Sequence, residues 1–435
     1  MKISFLKKIR GKAERFDYFE IGNSFFLYYL LIFGGLPAAI FLNLPSKYVN
    51  YFIGETIPVI NDKVFIYLLL AILFFILGYR FNLFSRLSSW SGPIIFLKKE
   101  WKPQNISWVF GTVFALGLFV KAVRIFGGGY FHLVKSQTFT SSSFYSLIGL
   151  LDWLGPTALG IAFAYYFYLL KNNDFRYRIW QIAAWTAFVV EFIYGLFSGS
   201  KFYSIIPIMI YLIIRHYVYK RNFKLVLVIG LLIFFVLIPA LNFYNNPLIF
   251  FSSYVANNEI KSKDIGQFAL DGPLSRLNQS KTIFNVFEKT DKFLYGKSLF
   301  NFFISLGPPR FIWKDKPIIN ASGNDFGRAY GIIRSDNFQT TVGPTIVGDW
   351  YMNFGLWGII FGMLFFGALY RFIFDLFIGK SDNSLSGAVI YAIFWIQIIK
   401  GTEDWIAPVW AGLVKLLVIL IIIHFALVWR KRIEI

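Results

Sequence analysis

The densest cluster of positive charge in the sequence lies at residues 307–317 and has the residue types that bind phosphate. Arg310, Lys314 and Lys316 stand close together there, and prolines stiffen the chain on both sides of them. Cations held this close repel one another unless an anion lies among them, and a guanidinium can bond two phosphate oxygens at once. The cluster therefore predicts a diphosphate site, with a solvated basic loop as the alternative.

Aromatic rings, amides and carboxylates occur together over residues 324–354, a combination typical of sugar sites. Asp349, Trp350, Tyr351 and Asn353 are the densest part of this stretch. Ring faces stack on the apolar faces of sugars, while amides and carboxylates bond the hydroxyls. For Trp350 and Tyr351 alone, an aromatic belt at a membrane interface is the alternative interpretation.

The composition places these residues in a membrane protein. Of the 435 residues, 57% are hydrophobic and 15% are charged, whereas soluble domains are about 25% charged. The net charge of +20 comes from basic residues between apolar segments, which indicates membrane topology and no nucleic-acid partner. The sequence has no cysteine and 3 histidines, so we predict neither a metal site nor a cofactor.

Ten apolar segments are long enough to cross a bilayer, which takes about 20 helical residues. They predict an all-α polytopic membrane protein with about ten transmembrane helices. The predicted spans are residues 24–44, 63–79, 106–123, 144–170, 179–198, 202–219, 224–243, 355–378, 386–402 and 405–429.

Lysines and arginines between the spans predict the orientation of the chain. They are far more frequent in the loops that share a side with the N-terminus, so both termini are expected in the cytoplasm. A stretch between the seventh and eighth spans is too long to lack structure, and we expect a folded extracytoplasmic loop subdomain there. The predicted division is a cytoplasmic N-terminal segment, 1–23; spans one to seven, 24–243; the loop subdomain, 244–354; spans eight to ten, 355–429; and a cytoplasmic tail, 430–435.

Charged residues inside or beside the spans gather near the outer membrane face. At mid-bilayer each would cost about 2.5–3.5 kcal/mol on insertion scales, so their shared depth predicts a polar cavity open to the outside. Snorkelling or ion pairing is the alternative for any single one of them. These residues are Lys121, Arg124, Glu191, Lys201, Lys400, Glu403, Asp404 and Lys415.

Residues 307–367 resemble bacterial oligosaccharide repeat-unit polymerases of the Wzy type, which make O-antigen or capsular polysaccharide. The similarity lies in a PRxxWxxKP run that contains Arg310 and in a DWYxNFGxxG run that starts at Asp349. A Gly-Ser-Lys turn ending at Lys201 is similar to a Gly-Ser-Arg turn of that family, although lysine is not equivalent to arginine at a bidentate site. The plan of ten or more spans with one large late outer loop also resembles the wider GT-C-type group of membrane glycosyltransferases.

The resemblance implies a reaction, a location and a set of partners. A glycan on undecaprenyl diphosphate is transferred to the terminal sugar of a second lipid-linked repeat unit, and undecaprenyl diphosphate is released. The enzyme would lie in the bacterial cytoplasmic (inner) membrane with its active site facing the periplasm. Its implied partners are the lipid-linked oligosaccharide as donor and acceptor, the lipid bilayer, and a chain-length regulator and a flippase.

Our mechanistic hypothesis combines cations that stabilise the leaving diphosphate with one carboxylate that accepts a proton. The expected catalytic residues are Asp349, Glu403 and Arg310. The order of the carboxylates stays open, because Asp404, Asp315 and Asp325 are further candidates for the base. The expected substrate-binding residues are Arg276, Lys314, Lys316, Lys201, Arg328, Tyr351, Asn353, Lys400 and Asp404.

Three other functions compete with this one. An O-antigen ligase has a different acceptor, but that resemblance would lead us to expect a histidine in the large outer loop, and residues 244–354 contain none. A flippase or transporter for the lipid-linked unit would require a polar route through the whole bundle. A non-catalytic scaffold of a polysaccharide assembly complex would not require the crowded cations near Arg310.

Overall fold

A computed structural model describes most of the apolar segments and part of the stretch between residues 244 and 354. Three predicted site residues, Arg276, Arg310 and Lys314, lie outside the described residues. The described residues are 17–41, 62–81, 99–126, 148–197, 201–220, 222–237, 279–308, 312–313, 315–316, 323–333, 335, 342–379 and 384–429.

Every regular element in the described part of the chain is a helix. Three helices, α6, α7 and α11, continue into a wider π-helical turn at Arg215–Tyr219, Ile233–Leu237 and Asp375–Gly379. The helices are α1 (Ile21–Phe41), α2 (Asp62–Phe81), α3 (Pro103–Phe126), α4 (Leu154–Lys171), α5 (Tyr177–Phe197), α6 (Lys201–Ile214), α7 (Phe223–Leu232), α8 (Gln279–Lys289), α9 (Lys297–Leu306), α10 (Gly323–Ala329), α11 (Thr345–Phe374), α12 (Leu385–Gly401) and α13 (Ile406–Val428).

Seven helices within the described residues are long and apolar enough to cross a membrane. They are α2 to α6, α11 and α13, where α4 counts from the helical turn at Ile148 that precedes it. Shorter apolar helices occur at Ile21–Gly35 of α1 and at α12. The protein is therefore an all-α polytopic membrane protein, whereas ten spans and an outward-facing loop subdomain stay predictions.

Helix α4 lies at the centre of the bundle and contacts α3, α5, α6 and α12. Three of its small side chains, those of Ala158, Ala162 and Ala164, are completely buried. Their small size lets the neighbouring helices approach closely. At Gly160 an added Cβ would lie 3.0 Å from the Val389 side chain of α12. Without a hydrophobic driving force between helices in lipid, such close packing is a main source of association energy.

Helix α11 is broken at Gly355, which has a φ of 62° and a ψ of −143°. Its 30 residues would otherwise extend for about 45 Å at 1.5 Å per residue, well beyond the roughly 30 Å of a bilayer core. The segment before the break folds back on the one after it, so that Trp350 packs against Gly358 and Gly362. Its ring centroid is 6.0 Å from that of Phe366. The predicted eighth span begins at the same glycine.

The bundle has two ends, which we call the loop end and the opposite end. The loop end carries α8, α9 and the turn between α12 and α13, and there the Ser280 hydroxyl donates to the Phe33 carbonyl of α1 at 3.1 Å. The opposite end carries Glu20, whose carboxylate accepts a hydrogen bond from the Tyr79 hydroxyl at 2.7 Å. Arg371 donates to the same carboxylate at 3.3 Å. According to the predicted orientation, the loop end faces the outside of the cell.

Candidate functional site

The last turn of α12 and the turn that leads from it to α13 bring three of the predicted site residues together at the loop end. Lys400 is exposed, while Glu403 and Asp404 are partly exposed just after it. The Lys400 ammonium lies 4.9 Å from the ring centroid of Phe202 in α6, the residue next to Lys201. A cation and two carboxylates are thus grouped on one turn, beside the first residues of α6.

Glu403 links three separate elements of the bundle. Its carboxylate accepts a hydrogen bond from the Tyr28 hydroxyl of α1 and another from the Gln279 amide of α8 at 3.2 Å. These contacts hold the side chain in place while part of it stays accessible. The sequence contained no signal for Tyr28 or Gln279, because both residues are far from Glu403 along the chain.

Asp404 follows Glu403 on the same turn and is partly desolvated. Burial raises its pKa above the ordinary value for aspartate, and the positive charge of Lys400 only partly opposes this rise. Gly343 packs against its backbone, where an added Cβ would lie 2.6 Å from the Asp404 Cα. This turn is therefore closely packed from one side.

Asp349 is completely buried, and both of its carboxylate oxygens accept hydrogen bonds from other residues of the protein. One carboxylate oxygen accepts from the Ser298 hydroxyl at 2.6 Å and from the Asn353 amide at 3.1 Å. The other accepts from the Ile406 backbone N–H at 3.0 Å. That N–H is one of the donors that a helix start leaves without a partner in the helix, so Asp349 ties α11 and α9 to the start of α13.

Asn353 completes this network beside the break in α11. Its side-chain oxygen accepts from the Gly296 N–H at 3.0 Å, and its amide donates to the Ser298 hydroxyl at 2.5 Å. The break frees two helical carbonyls, those of Met352 and Asn353, and the N–H groups of residues 294 and 295 donate to them at 2.8 and 3.1 Å. The DWYxNFG run therefore has a clear structural role, since it forms and stabilises the break.

Two further predicted residues, Tyr351 and Arg328, lie on the helices around the turn. Tyr351 is buried against Phe287 of α8, with ring centroids 4.4 Å apart. Arg328 pairs with Asp325 on α10 at 2.5 Å. Helix α10 also borders the turn, because the ring centroids of Phe326 and Trp405 are 5.3 Å apart.

Lys316 is the one cation of the 310–316 cluster that the structure describes. Its ammonium group donates to the carbonyls of Gly307 and Pro308 at 3.0 and 3.1 Å. A lysine that caps the carbonyls after a helix is favourably placed in the negative end of the helix dipole. Asp315 is exposed next to it. Of Lys201, the structure describes the backbone position at the start of α6 and not the side chain.

Three of the charged residues that we expected around an open cavity, Lys121, Glu191 and Arg124, are buried in ion pairs instead. Lys121 of α3 lies 2.8 Å from Glu191 of α5, and both side chains are at most 6% exposed. Arg124 of α3 lies 2.9 Å from Asp152, at the start of α4, with side chains at most 8% exposed. The physical reason is that an unpaired buried charge is far more costly than a paired one. The expectation of an open cavity is wrong for Lys121, Glu191 and Arg124.

A second buried polar cluster, which the sequence did not predict, lies at the opposite end. His216 and Asp17 approach to 3.0 Å between imidazole Nε2 and the carboxylate. Arg371 pairs with Asp375 at 3.1 Å one helical turn away. The His216–Asp17 contact and the Arg371–Glu20 pair fasten the residues just before α1 to the π-helical continuation of α6 and to α11.

Among the described residues, the accessible acid–base and charged groups grouped at the loop end lie on or near the α12–α13 turn. Glu403 can accept a proton from a bound hydroxyl, and Lys400 can offset the negative charge of an anion. Comparison of this chain with protein-family models, with curated proteins and with solved structures finds no match.

Proposed function

We propose that this protein polymerises oligosaccharide repeat units that are linked to undecaprenyl diphosphate, at the outer face of the bacterial cytoplasmic membrane. The hydroxyl of the acceptor sugar attacks the anomeric carbon of the donor glycan. A new glycosidic C–O bond forms while the bond to the diphosphate oxygen breaks. The hydroxyl proton goes to a carboxylate, and undecaprenyl diphosphate leaves with the electron pair.

The observation that carries this proposal is the turn between α12 and α13. Exposed Lys400 and partly exposed Glu403 and Asp404 lie there within one turn, at the end of the bundle that the proposal places outside. Glycosyl transfer from a lipid diphosphate needs positive charge near the leaving group and one base near the acceptor hydroxyl. This turn supplies both kinds of group.

Access favours Glu403 over Asp349 as the base. A base must come within about 2.6–3.2 Å of the hydroxyl it deprotonates. Asp349 is completely buried and would have to give up a bond to Ser298 or Ile406 to do so. We therefore give Asp349 a positioning role, in which it holds the start of α13 and with it the turn that carries Glu403.

Arg310 and Lys314, which lie outside the described residues, complete the proposed site, whereas Lys316 bonds to the carbonyls of Gly307 and Pro308. The resemblance to Wzy-type polymerases implies that Arg310 and its neighbours bind the diphosphate. In this proposal Arg310 provides the bidentate contact and Lys400 the second positive charge. The acceptor sugar lies on the side of Glu403, next to Tyr28 and Gln279.

The first test is the size distribution of glycans in cells that lack this protein. We expect single repeat units at the cell surface and loss of the long-chain ladder. Long polymer retained on undecaprenyl diphosphate would indicate a ligase instead, and single units trapped in the inner leaflet would indicate a flippase. An unchanged ladder would overturn the proposal.

Point variants in the same cells test the assigned residues. Glu403→Gln and Arg310→Ala should each abolish chain growth at normal protein abundance. Glu288→Gln is the matched control for a carboxylate, because Glu288 is exposed on α8, and it should leave the ladder unchanged. A normal ladder from Glu403→Gln would remove this residue as the base.

A further inference from the structure

Helix α9 runs alongside the membrane helix α13 and in the same direction. The two helices pack together along the length of α9. At one end Ser298 and the Ile406 N–H both bond to Asp349. At the other end the Lys415 ammonium donates to the Ser305 carbonyl. The position of Lys415, nine residues into α13, lies about 13 Å along the helix from Ile406 at 1.5 Å per residue.

Helix α9 therefore reaches a depth at which α13 already faces lipid. Val414 and Val418 of α13 are 39% and 54% exposed, beside and just beyond the position of Lys415. Because α13 has the length and composition of a membrane span, exposed valines there indicate contact with acyl chains. A helix that lies against this part of α13 is at the same depth.

The outer face of α9 is apolar and aromatic. Phe300 and Phe303 are 61% and 64% exposed, and they are three residues apart, so they lie on the same face of the helix. Their ring centroids are 5.8 Å apart. Two adjacent exposed phenylalanines would be unfavourable in water and favourable in hydrocarbon.

Two lysines donate to three carbonyls at or just after the C-terminal end of α9. Lys415 bonds to the Ser305 carbonyl, and Lys316 bonds to the carbonyls of Gly307 and Pro308. Carbonyls after the end of a helix have no partner in the helix, and within a membrane each must be satisfied by the protein. This arrangement explains why a lysine occurs in the middle of an apolar helix.

We propose that α9 is a re-entrant membrane helix whose Phe300 and Phe303 face contacts the acyl chains of the bilayer. The chain enters the membrane at Lys297, and Lys415 holds the buried end of the helix. This inference does not depend on the reaction that the protein catalyses.

Because the sequence contains no cysteine, single cysteines can be introduced for a direct test without first replacing native ones. Single variants Phe300→Cys and Phe303→Cys are placed in the full chain in liposomes and treated with a membrane-impermeant maleimide. Lys297→Cys is the control, since Lys297 is exposed at the start of α9. Maleimide reacts with the thiolate, and an apolar environment raises the pKa of a thiol. Each unit of that rise lowers the thiolate fraction about tenfold, so we expect labelling at 300 and 303 to be slower than at 297 by a factor of about ten or more.

A nitroxide on the same cysteines distinguishes lipid from a protein cover. Contact with acyl chains gives strong relaxation by oxygen, which dissolves in the bilayer, and weak relaxation by a water-soluble nickel chelate. Weak relaxation by both would mean that a protein surface, such as a second copy, covers the helix. That result, or rapid maleimide labelling at both positions, would overturn the proposal.

Variants of Lys415 test whether its bond to the Ser305 carbonyl stabilises the buried end of α9. In the Phe303→Cys protein, Lys415→Met should increase maleimide labelling severalfold, because the uncapped end of α9 becomes less stable in the membrane, whereas Lys415→Arg should not. Lys400→Met removes an exposed lysine and is the matched control. Equal labelling of the Lys415→Met and Lys400→Met proteins would contradict the capping role.

Discussion

Asp349 and Glu403 lie at the same end of the bundle but differ in their access to a ligand. Asp349 accepts hydrogen bonds from two side chains and from the Ile406 N–H and is completely buried. Glu403 accepts hydrogen bonds from Tyr28 and Gln279 and stays partly exposed. Position within a conspicuous motif is thus a poor guide to the base, because a motif can also be required to form a helix break.

At the scale of single residues, Asp404 should make the stability of the protein depend on pH. Its pKa is raised in the folded state by burial, so folding favours the protonated form. The contribution of Asp404 to the free energy of unfolding is therefore most favourable below the ordinary aspartate pKa of about 3.9. It becomes less favourable as the pH rises through the higher folded pKa, because the buried side chain must then ionise. Asp404→Asn should therefore raise the melting temperature in detergent at pH 7, and the gain should disappear near pH 4.

The control for this prediction is Asp315→Asn, since Asp315 is exposed. We expect the same melting temperature for this variant and the wild type at both pH values. A lower melting temperature of Asp404→Asn at pH 7 would mean that ionised Asp404 stabilises the turn, most simply through Lys400.

At the scale of helices, the break in α11 depends on glycine at position 355. A φ of 62° is unfavourable for residues with a Cβ, and an added Cβ would lie 2.7 Å from the Phe293 ring. Gly355→Ala should lower the unfolding free energy by about 1–3 kcal/mol. Thermal unfolding in detergent measures the change.

Gly412→Ala provides the comparison within a helix of normal geometry. Gly412 lies in α13 with open space where a Cβ would be added, so alanine there should be neutral or stabilising by up to about 1 kcal/mol. If both variants were equally stable, α11 would not need its break to fold.

The buried pair Lys121–Glu191 fastens α3 to α5 past Gly155 of α4. An added Cβ at Gly155 would meet both charged groups, so the glycine leaves the space that the pair fills. Lys121→Met should cost about 3–5 kcal/mol, because it leaves Glu191 buried without its partner. Protein abundance and melting temperature should both fall.

Replacing both partners separates charge pairing from packing. The double variant Lys121→Met and Glu191→Leu should recover most of the stability that Lys121→Met loses, since an apolar pair of similar size is often as stable as a buried ion pair. If the double variant were less stable than Lys121→Met, these charges would have a further partner or function.

At the scale of the whole molecule, the basic residues between the apolar segments predict the orientation of the protein in the membrane. We expect a C-terminal fluorescent protein fusion to fluoresce, since the tail at 430–435 is predicted in the cytoplasm. Alkaline phosphatase inserted between residues 257 and 258 should be active, because that segment is predicted outside. The reverse pattern would place the α12–α13 turn in the cytoplasm and contradict the proposed polymerase.

The sequence by itself determined that this is a helical membrane protein and where most of its apolar helices lie. For most helices the predicted limits differ from the observed ones by a few residues; α2, for instance, was predicted at 63–79 and spans Asp62–Phe81, whereas α11 begins at Thr345, ten residues before the predicted span. Apolar length is a local property of the chain, and the bilayer sets how much of it is needed. The glycine at the break of α11 was also recognisable, since a predicted span began there.

Only the tertiary structure decided which charged residues meet. Tyr28 contacts Glu403 across 375 positions of sequence, and Lys121 meets Glu191 through the packing of three helices. Burial of Asp349 likewise depends on α9 and α13, which are distant in sequence. A side chain's partner and exposure depend on where other helices pack, and hydropathy along one segment carries no information about that.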